Sequence, residues 1–286
     1  MRIPAPRIGI LFLACLVLGT AACSGGGARP PQPSDPARPA PGANRRDVGA
    51  SPSTQQDVEW YRQAWSRFVA EDPTWPSDRT RWLAKGDAAA TLLSENLFRY
   101  FWRASKGRRR DLIGRVSNEA KFIGAPAVPY FTKALVTDRW PLKEPLTVEV
   151  FNPDNPNQPV KKTFTHYDID DVTRQHAAYV LASIGEPAVP TLASSSVLGS
   201  PVSSSRRYGA YALGAIGNDQ AVQALGRMLR SSADWQDRGA AAKGLGFALR
   251  RNPAARPLLE QALRDADDFV RRKAKEGLEG KTRIEF

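Results

Sequence analysis

The chain has 286 residues, of which 42% are hydrophobic and 24% charged, with a formal charge of +12, two cysteines and two histidines. So few cysteines exclude a disulfide-stapled scaffold, and two histidines leave little from which to build a histidine-rich metal site. The basic surplus attracts polyanions.

From the start, Arg2 and Arg7 precede an apolar run from Ile8 to Leu18, then Gly19, Thr20, Ala21 and Ala22 ahead of Cys23. The run is about 11 residues, well short of the roughly 20 that cross a bilayer, so residues 1–22 are expected to be a cleaved secretory signal. Thr-Ala-Ala before Cys23 resembles the bacterial lipobox, which implies a cysteine lipidated on sulfur and a chain anchored in a membrane. Thr20 stands where that pattern usually has leucine, and the alternative is an ordinary cleavage site followed by a free thiol. On the first reading Cys15 leaves with the signal, Cys23 is blocked, and the mature chain keeps a charge of +10 and no disulfide. Residues 23–55 hold Gly25-Gly26-Gly27 and seven prolines, with Val48 the only large aliphatic side chain, and are expected to form a disordered tether.

Residues 56–107 are expected to be a helical cap. Trp60, Tyr61, Ala64, Trp65 and Phe68 fall at helical spacing, as do Leu93, Leu97, Tyr100, Phe101 and Ala104. An aromatic stripe of this kind is either core or a platform for glycans.

Residues 108–280 carry an internal repeat. Arg174, Arg206, Arg238 and Arg271 align at steps of 32, 32 and 33, and the same steps align Leu181, Leu213, Leu245 and Leu278. A third column, Ala177, Gly209, Ala241 and Ala274, is small throughout. The small position and the leucine lie four apart, so they share one helix face. Asp171, Asp237 and Asp268 return near the arginines, which predicts a ladder of ion pairs between successive units. Ile184-Gly185-Glu186-Pro187-Ala188-Val189-Pro190 ends one helix on glycine and opens another on proline, and Gly124-Ala125-Pro126-Ala127-Val128-Pro129 repeats the pattern. These features resemble HEAT-like repeats, including the short variety found in phycobilin lyases. The resemblance implies an all-α, right-handed solenoid of five units, the last keeping only its first helix. It further implies a concave face lined by second helices, where Gln220, Gln223, Arg227 and Arg230 would contact a partner.

The glycine motifs at Gly124 and Gly185 are 61 residues apart, so about 29 residues are inserted. Residues 146–151 and 160–165 are β-branched and aromatic and flank a polar, proline-rich turn, which predicts an inserted β-hairpin over 139–168, projecting between the first two units to bind or merely to cover. His166 and His176, with Asp168, Asp170 and Asp171 between them, are the one grouping that suggests a metal; an acidic helix start explains the same run. Ser194-Ser195-Ser196 and Ser203-Ser204-Ser205 read as linker and cap, and Arg108-Arg109-Arg110 as a solvated helix start. Residues 281–286 form a short tail. The expectation is a non-catalytic, cofactor-free scaffold that holds an envelope protein, or else a basic module for anionic glycan or lipid, with no nucleic acid as partner. A HEAT-type enzyme ranks below both.

Overall fold

The structure is a computed structural model that describes residues 55–284. The signal, Cys23 and the tether lie outside the described residues.

Three helices form the first part: α1 (Gln55–Val69), α2 (Trp75–Leu83) and α3 (Asp87–Lys106). Tyr61, Ala64, Trp65 and Phe68 of α1 are buried, so the aromatic stripe is core rather than a glycan platform. Its rings meet those of α2 at tilted angles, Tyr61 on Trp82 at 4.5 Å and Phe68 on Trp75 at 5.2 Å between centroids. The Trp82 indole is fully buried and its N–H donates to the Ala89 carbonyl at 2.8 Å, which removes the cost of enclosing that polar group.

Helix pairs follow. α4 (Arg110–Ile123) is paired with α5 (Val128–Val136), α6 (Asp171–Ile184) with the short α7 (Val189–Leu192) and α8 (Ser195–Leu198), α9 (Ser203–Ile216) with α10 (Asp219–Ser231), and α11 (Trp235–Ala248) with α12 (Ala255–Ala262). α13 (Asp268–Leu278) stands alone as the fifth first helix. The second pair departs from the others, since its second helix is interrupted at Ala193 and Ser194. α4 and α6 stop at Gly124 and Gly185, whose φ of +72° and +84° suit glycine, and a three-residue 3-10 turn carrying proline starts the next helix. At four other starts, Asp170, Asn218, Asp234 and Asp267 accept a hydrogen bond from a backbone N–H two or three residues on.

The first helices pack in succession into one layer and the second helices form the other. Small residues set the spacing of the first layer. A Cβ added to Gly214 would lie 2.5 Å from the Gly244 carbonyl oxygen, and one added to Gly246 would lie 2.6 Å from the Gly277 Cα. Neighbouring first helices thus touch backbone to backbone at these points. In the second layer Gly226 faces the flexible end of Leu258 instead, at 3.0 Å from such a Cβ. Helix spacing follows the side chains at the contact, so the first layer is the tighter one at these points.

β1 (Arg139–Val150) and β2 (Val160–Asp168) pair antiparallel, with Leu146 opposite Phe164 and Val150 opposite Val160 and an irregularity between Pro141 and Leu146. The insertion is therefore a hairpin, as the residue types predicted. One face packs on α3. Trp102 meets Phe164 at 5.0 Å and Tyr167 at 5.3 Å, Phe98 meets Trp140 at 5.1 Å, and the Trp102 indole N–H donates to the Asp168 carbonyl at 3.1 Å. The hairpin body covers the cap helix, and residues 153–163, the turn and the first part of β2, are exposed throughout.

The glycine contacts give a paired test. Gly214→Ala gains about 1 kcal/mol of helix propensity but drives a methyl into backbone that cannot rotate aside, at a cost of about 1–3 kcal/mol, so a lower melting temperature is expected. Gly114→Ala, on α4 with nothing within 4 Å of the added carbon, should instead raise stability by up to about 1 kcal/mol. Thermal melts followed by circular dichroism read both signs.

Candidate functional site

Gln220, Gln223, Arg227 and Arg230 are exposed along one face of α10, while Val222, Leu225 and Leu229 of the opposite face are buried. They form one continuous strip on the second-helix layer, which we term the outer side, and the exposed side of the first-helix layer is termed the inner side. The inner first helices α6, α9 and α11 leave a narrow line uncovered beyond their first turn, at steps of four residues, whereas the end helices α4 and α13 expose more. Tyr179 and Ser183 of α6, Arg207, Tyr211 and Ala215 of α9, and Lys243 and Phe247 of α11 all lie on it.

The arginine column has one recurrent partner that its sequence neighbours do not reveal. Arg206, Arg238 and Arg271 each donate from Nη1 to the carbonyl six residues earlier, at Ser200, Ser232 and Asp265, with distances of 2.7, 3.2 and 2.5 Å. Each guanidinium thereby pins the loop that leads into its own helix. The expected ladder between units is confirmed at Arg206, which reaches Asp237 of the next first helix at 2.8 Å. Elsewhere it needs correction. Arg238 takes Asp265, through two bonds of 2.8 and 3.0 Å, and Arg271 pairs with Asp268 inside its own helix. Asp171 pairs with Arg207, not with an arginine of the column. A fork-shaped guanidinium prefers a carboxylate that accepts both its N–H groups, and loop geometry supplies that at Asp265.

Arg174 shows how the hairpin is accommodated. Six residues before it lies Asp168 at the end of β2, yet Arg174 pairs with Asp138 and donates to the Thr137 carbonyl at 3.3 Å, both on the far side of the insertion. The Ile169 N–H donates to the Asp138 carbonyl at 2.8 Å. The two ends of the inserted segment are thus held together, and the arginine column runs on past it.

The two histidines do not share a site. His166 sits on β2, with Nδ1 3.1 Å from Arg139 and 2.9 Å from the Thr165 hydroxyl. His176 is buried in α6, and among the described residues no group of three or more His, Cys, Asp and Glu side chains is arranged to hold a metal ion. Ser105 of α3 closes a polar chain that sequence separation hides: His176 Nδ1 lies 3.0 Å from Ser105 Oγ, which donates to Thr173 Oγ1 at 3.1 Å, which donates to Asp170 at 2.6 Å. Lys106 completes it with a 3.1 Å ion pair to Asp170. The chain ties α3 directly to α6. Ser105 is buried and faces Thr173 as well as the imidazole, so the arrangement satisfies polar groups inside the core instead of presenting a nucleophile. Burial opposes ionisation of Asp170, but the hydrogen bonds from Thr173 and the Lys106 charge outweigh it and leave the carboxyl below its ordinary pKa. Burial first, and then the positive Arg108 and Arg110, lower the His176 pKa from 6.5 to about 4.

Of the other sequence features, Arg109 pairs with Asp111 at 2.7 Å, and Arg108 and Arg110 are exposed, as a solvated helix start requires. Ser205 is fully buried, its hydroxyl bonded to the Leu135 carbonyl, while Ser194 precedes α8.

A family model described as HEAT repeats matches residues 162–246. The helices in that span are similar to HEAT repeats, and the match covers 85 of the 286 residues. Among solved structures, the chain is similar to the complex of CpcE and CpcF of phycocyanin lyase from Nostoc sp. PCC7120, at 26% identity over 39% of this chain and 71% of that one, with a TM-score of 0.33. It is also similar to human deoxyhypusine hydroxylase in complex with glycerol, at 14% identity over 81% of this chain and 92% of that one, with a TM-score of 0.36. No curated protein matches the sequence. The HEAT architecture gives the strip on the inner side its regularity, because each repeat contributes one helix line at the same depth.

His176 makes the HEAT stack sensitive to acid. Its folded pKa lies below the unfolded value, so the native state resists protonation; stability is full above about pH 6.5 and falls as the pH drops toward 4, by at most about 3 kcal/mol. Urea unfolding at several pH values across this window should show that decline, and His176→Gln should flatten it. An unchanged slope in the variant would assign the acid sensitivity elsewhere.

Proposed function

We propose that the chain is an exported lipoprotein, anchored through Cys23, whose HEAT stack acts as a non-catalytic scaffold that holds another protein of the cell envelope. The observation that carries the reading is the repeat itself: successive helices present equivalent, laterally exposed lines, a geometry suited to an extended contact with a macromolecule. The polar groups with the look of catalytic parts, Ser105 and His176, are committed to a buried structural chain. The sequence of Arg2, Arg7, an apolar run and small residues before Cys23 supports export and lipidation, and the prolines that follow suit a spacer between membrane and stack. A second reading, a module for anionic glycan or lipid, is favoured by the charge of +10 that remains once residues 1–22, with Arg2 and Arg7, are removed from a chain of +12.

In cells fed labelled palmitate, the native protein should carry label and sediment with membranes, while Cys23→Ser should lose the label. Label retained by Cys23→Ser would refute the anchor. Crosslinking of the anchored protein should recover one dominant envelope partner; recovery of bulk membrane proteins alone would refute the scaffold. Release from partner-free membranes or glycan by moderate salt would instead favour the second reading, because exposed charges are screened over about 8 Å at physiological ionic strength.

A further inference from the structure

The inner line of the first helices carries cations seated on aromatic rings. The Lys243 ammonium lies 4.8 Å from the centre of the Tyr211 ring, the Arg207 guanidinium 4.8 Å from that of Tyr208, and the Arg272 guanidinium 5.3 Å from that of Phe269. These three cations belong to three consecutive first helices, α9, α11 and α13. Arg207 also meets Asp171 at 3.0 Å, but the two side chains are 44% and 56% exposed, and an ion pair so open to water is weak enough for an incoming carboxylate to compete with it. The rings hold the cations at fixed positions while giving apolar surface for a partner to cover, and such a ring-backed cation is attracted to anions without losing its seat.

We infer that this inner line binds an extended, acidic segment of a partner polypeptide, with Arg207, Lys243 and Arg272 each meeting a carboxylate. The inference rests on the scaffold reading and names its face and its partner chemistry. Charge complementarity selects an acidic partner. Spacing selects a polypeptide: neighbouring helices packed through small residues are about 8–10 Å apart, and a chain in the polyproline II conformation advances about 3.1 Å per residue with about three residues per turn. Such a chain lying across the layer passes one helix roughly every three residues and turns the same face to each. Aspartate or glutamate at every third position would reach the three cations in turn, and the residues between would rest on the Tyr211 and Phe247 rings. Arg227 and Arg230 of α10, on the outer layer, provide an internal control with the same charge.

The test uses the full-length protein and a fluorescent synthetic peptide of about twelve residues with glutamate at every third position, compared with a peptide of the same composition whose glutamates are clustered at one end. Fluorescence anisotropy should show tighter binding of the spaced peptide, and Arg207→Glu with Lys243→Glu should weaken it about tenfold or more, a loss of about 1.4 kcal/mol. Arg227→Glu with Arg230→Glu should change it less than about twofold, the range expected when a distant charge is screened. If the inner double variant melts early, Arg272→Glu, which replaces an exposed side chain, should by itself weaken binding. Equal loss from inner and outer variants, no preference for the spaced peptide, or tighter binding of heparin or phosphatidylglycerol vesicles would overturn the inference. A dominant envelope partner whose crosslinking survives the inner variant and is lost in the outer one would overturn it too, while leaving the scaffold reading intact.

Discussion

The backbone contact between neighbouring first helices, at Gly214 with Gly244 and at Gly246 with Gly277, sets the geometry of the stack. Two helices can come this close only where neither carries a Cβ in the way. The contact sets a closer spacing in the first-helix layer than Gly226 against Leu258 sets in the second. It also decides what the inner surface can be. With helices this tight, α9 and α11 leave about one residue per turn uncovered beyond their first turn, and those places hold the large Arg207, Tyr211, Lys243 and Phe247 as well as the smaller Ala215. In the outer layer, where leucine ends separate the helices, α10 exposes a broader polar strip that includes Gln223 and Arg227.

Tight helices leave their connecting loops crowded, and the arginine column answers that crowding. A guanidinium has enough donors to hold a loop carbonyl and a carboxylate at once, as Arg238 does with Ser232 and Asp265. These arginines are mostly enclosed, where a pair costs more to desolvate but its hydrogen bonds are stronger and better oriented than at the surface. Their contribution is to fix loop position, and the hairpin shows its worth. An insertion of some thirty residues interrupts the loop before α6, yet Arg174 still finds a carbonyl and a carboxylate, because Thr137 and Asp138 occupy the place that a short loop would fill. Any segment whose ends meet at that point is compatible with the stack.

Much of this was legible in the sequence. The repeat columns are local patterns, and Leu181, Leu213 and Leu245, with the small residues four positions before them, are buried as their spacing required. The glycine and proline signals marked the helix ends, the β-branched runs marked the hairpin, and the α1 stripe marked the core of the cap. What escaped depends on contacts between distant residues. Asp138 and Asp265 lie outside the motif that holds their arginines. Ser105 is 71 positions from His176, and nothing in its own surroundings distinguishes it. The close backbone contacts at Gly214, Gly244, Gly246 and Gly277 also escaped, because these glycines lie off the aligned columns. The docking of the hairpin on α3 was hidden for the same reason, since the α3 residues that receive it, Phe98 and Trp102, meet Trp140, Phe164 and Tyr167 only through the fold.

The two ends of the described stack are closed by different means, and this directs attention to its sides. At one end the apolar surface of the first repeat is covered by the ring-packed cap, reinforced by Arg79 of α2, which reaches Glu119 of α4 at 3.1 Å and lies over the Phe122 ring at 3.6 Å. At the other, α13 turns Val270, Ala274 and Gly277 inward and presents Arg272, Lys275 and Glu279 to solvent, while the chain beyond it folds back so that Thr282 is buried against Gly246. A charged outer face suits the last helix of a repeat stack, since it leaves little apolar surface exposed at that end. Among the described residues the lateral surfaces include the polar strip of α10, the exposed turn of the hairpin and the ring-backed cations of the first helices. Only the last combines positive charge, apolar contact and a regular spacing set by the backbone itself.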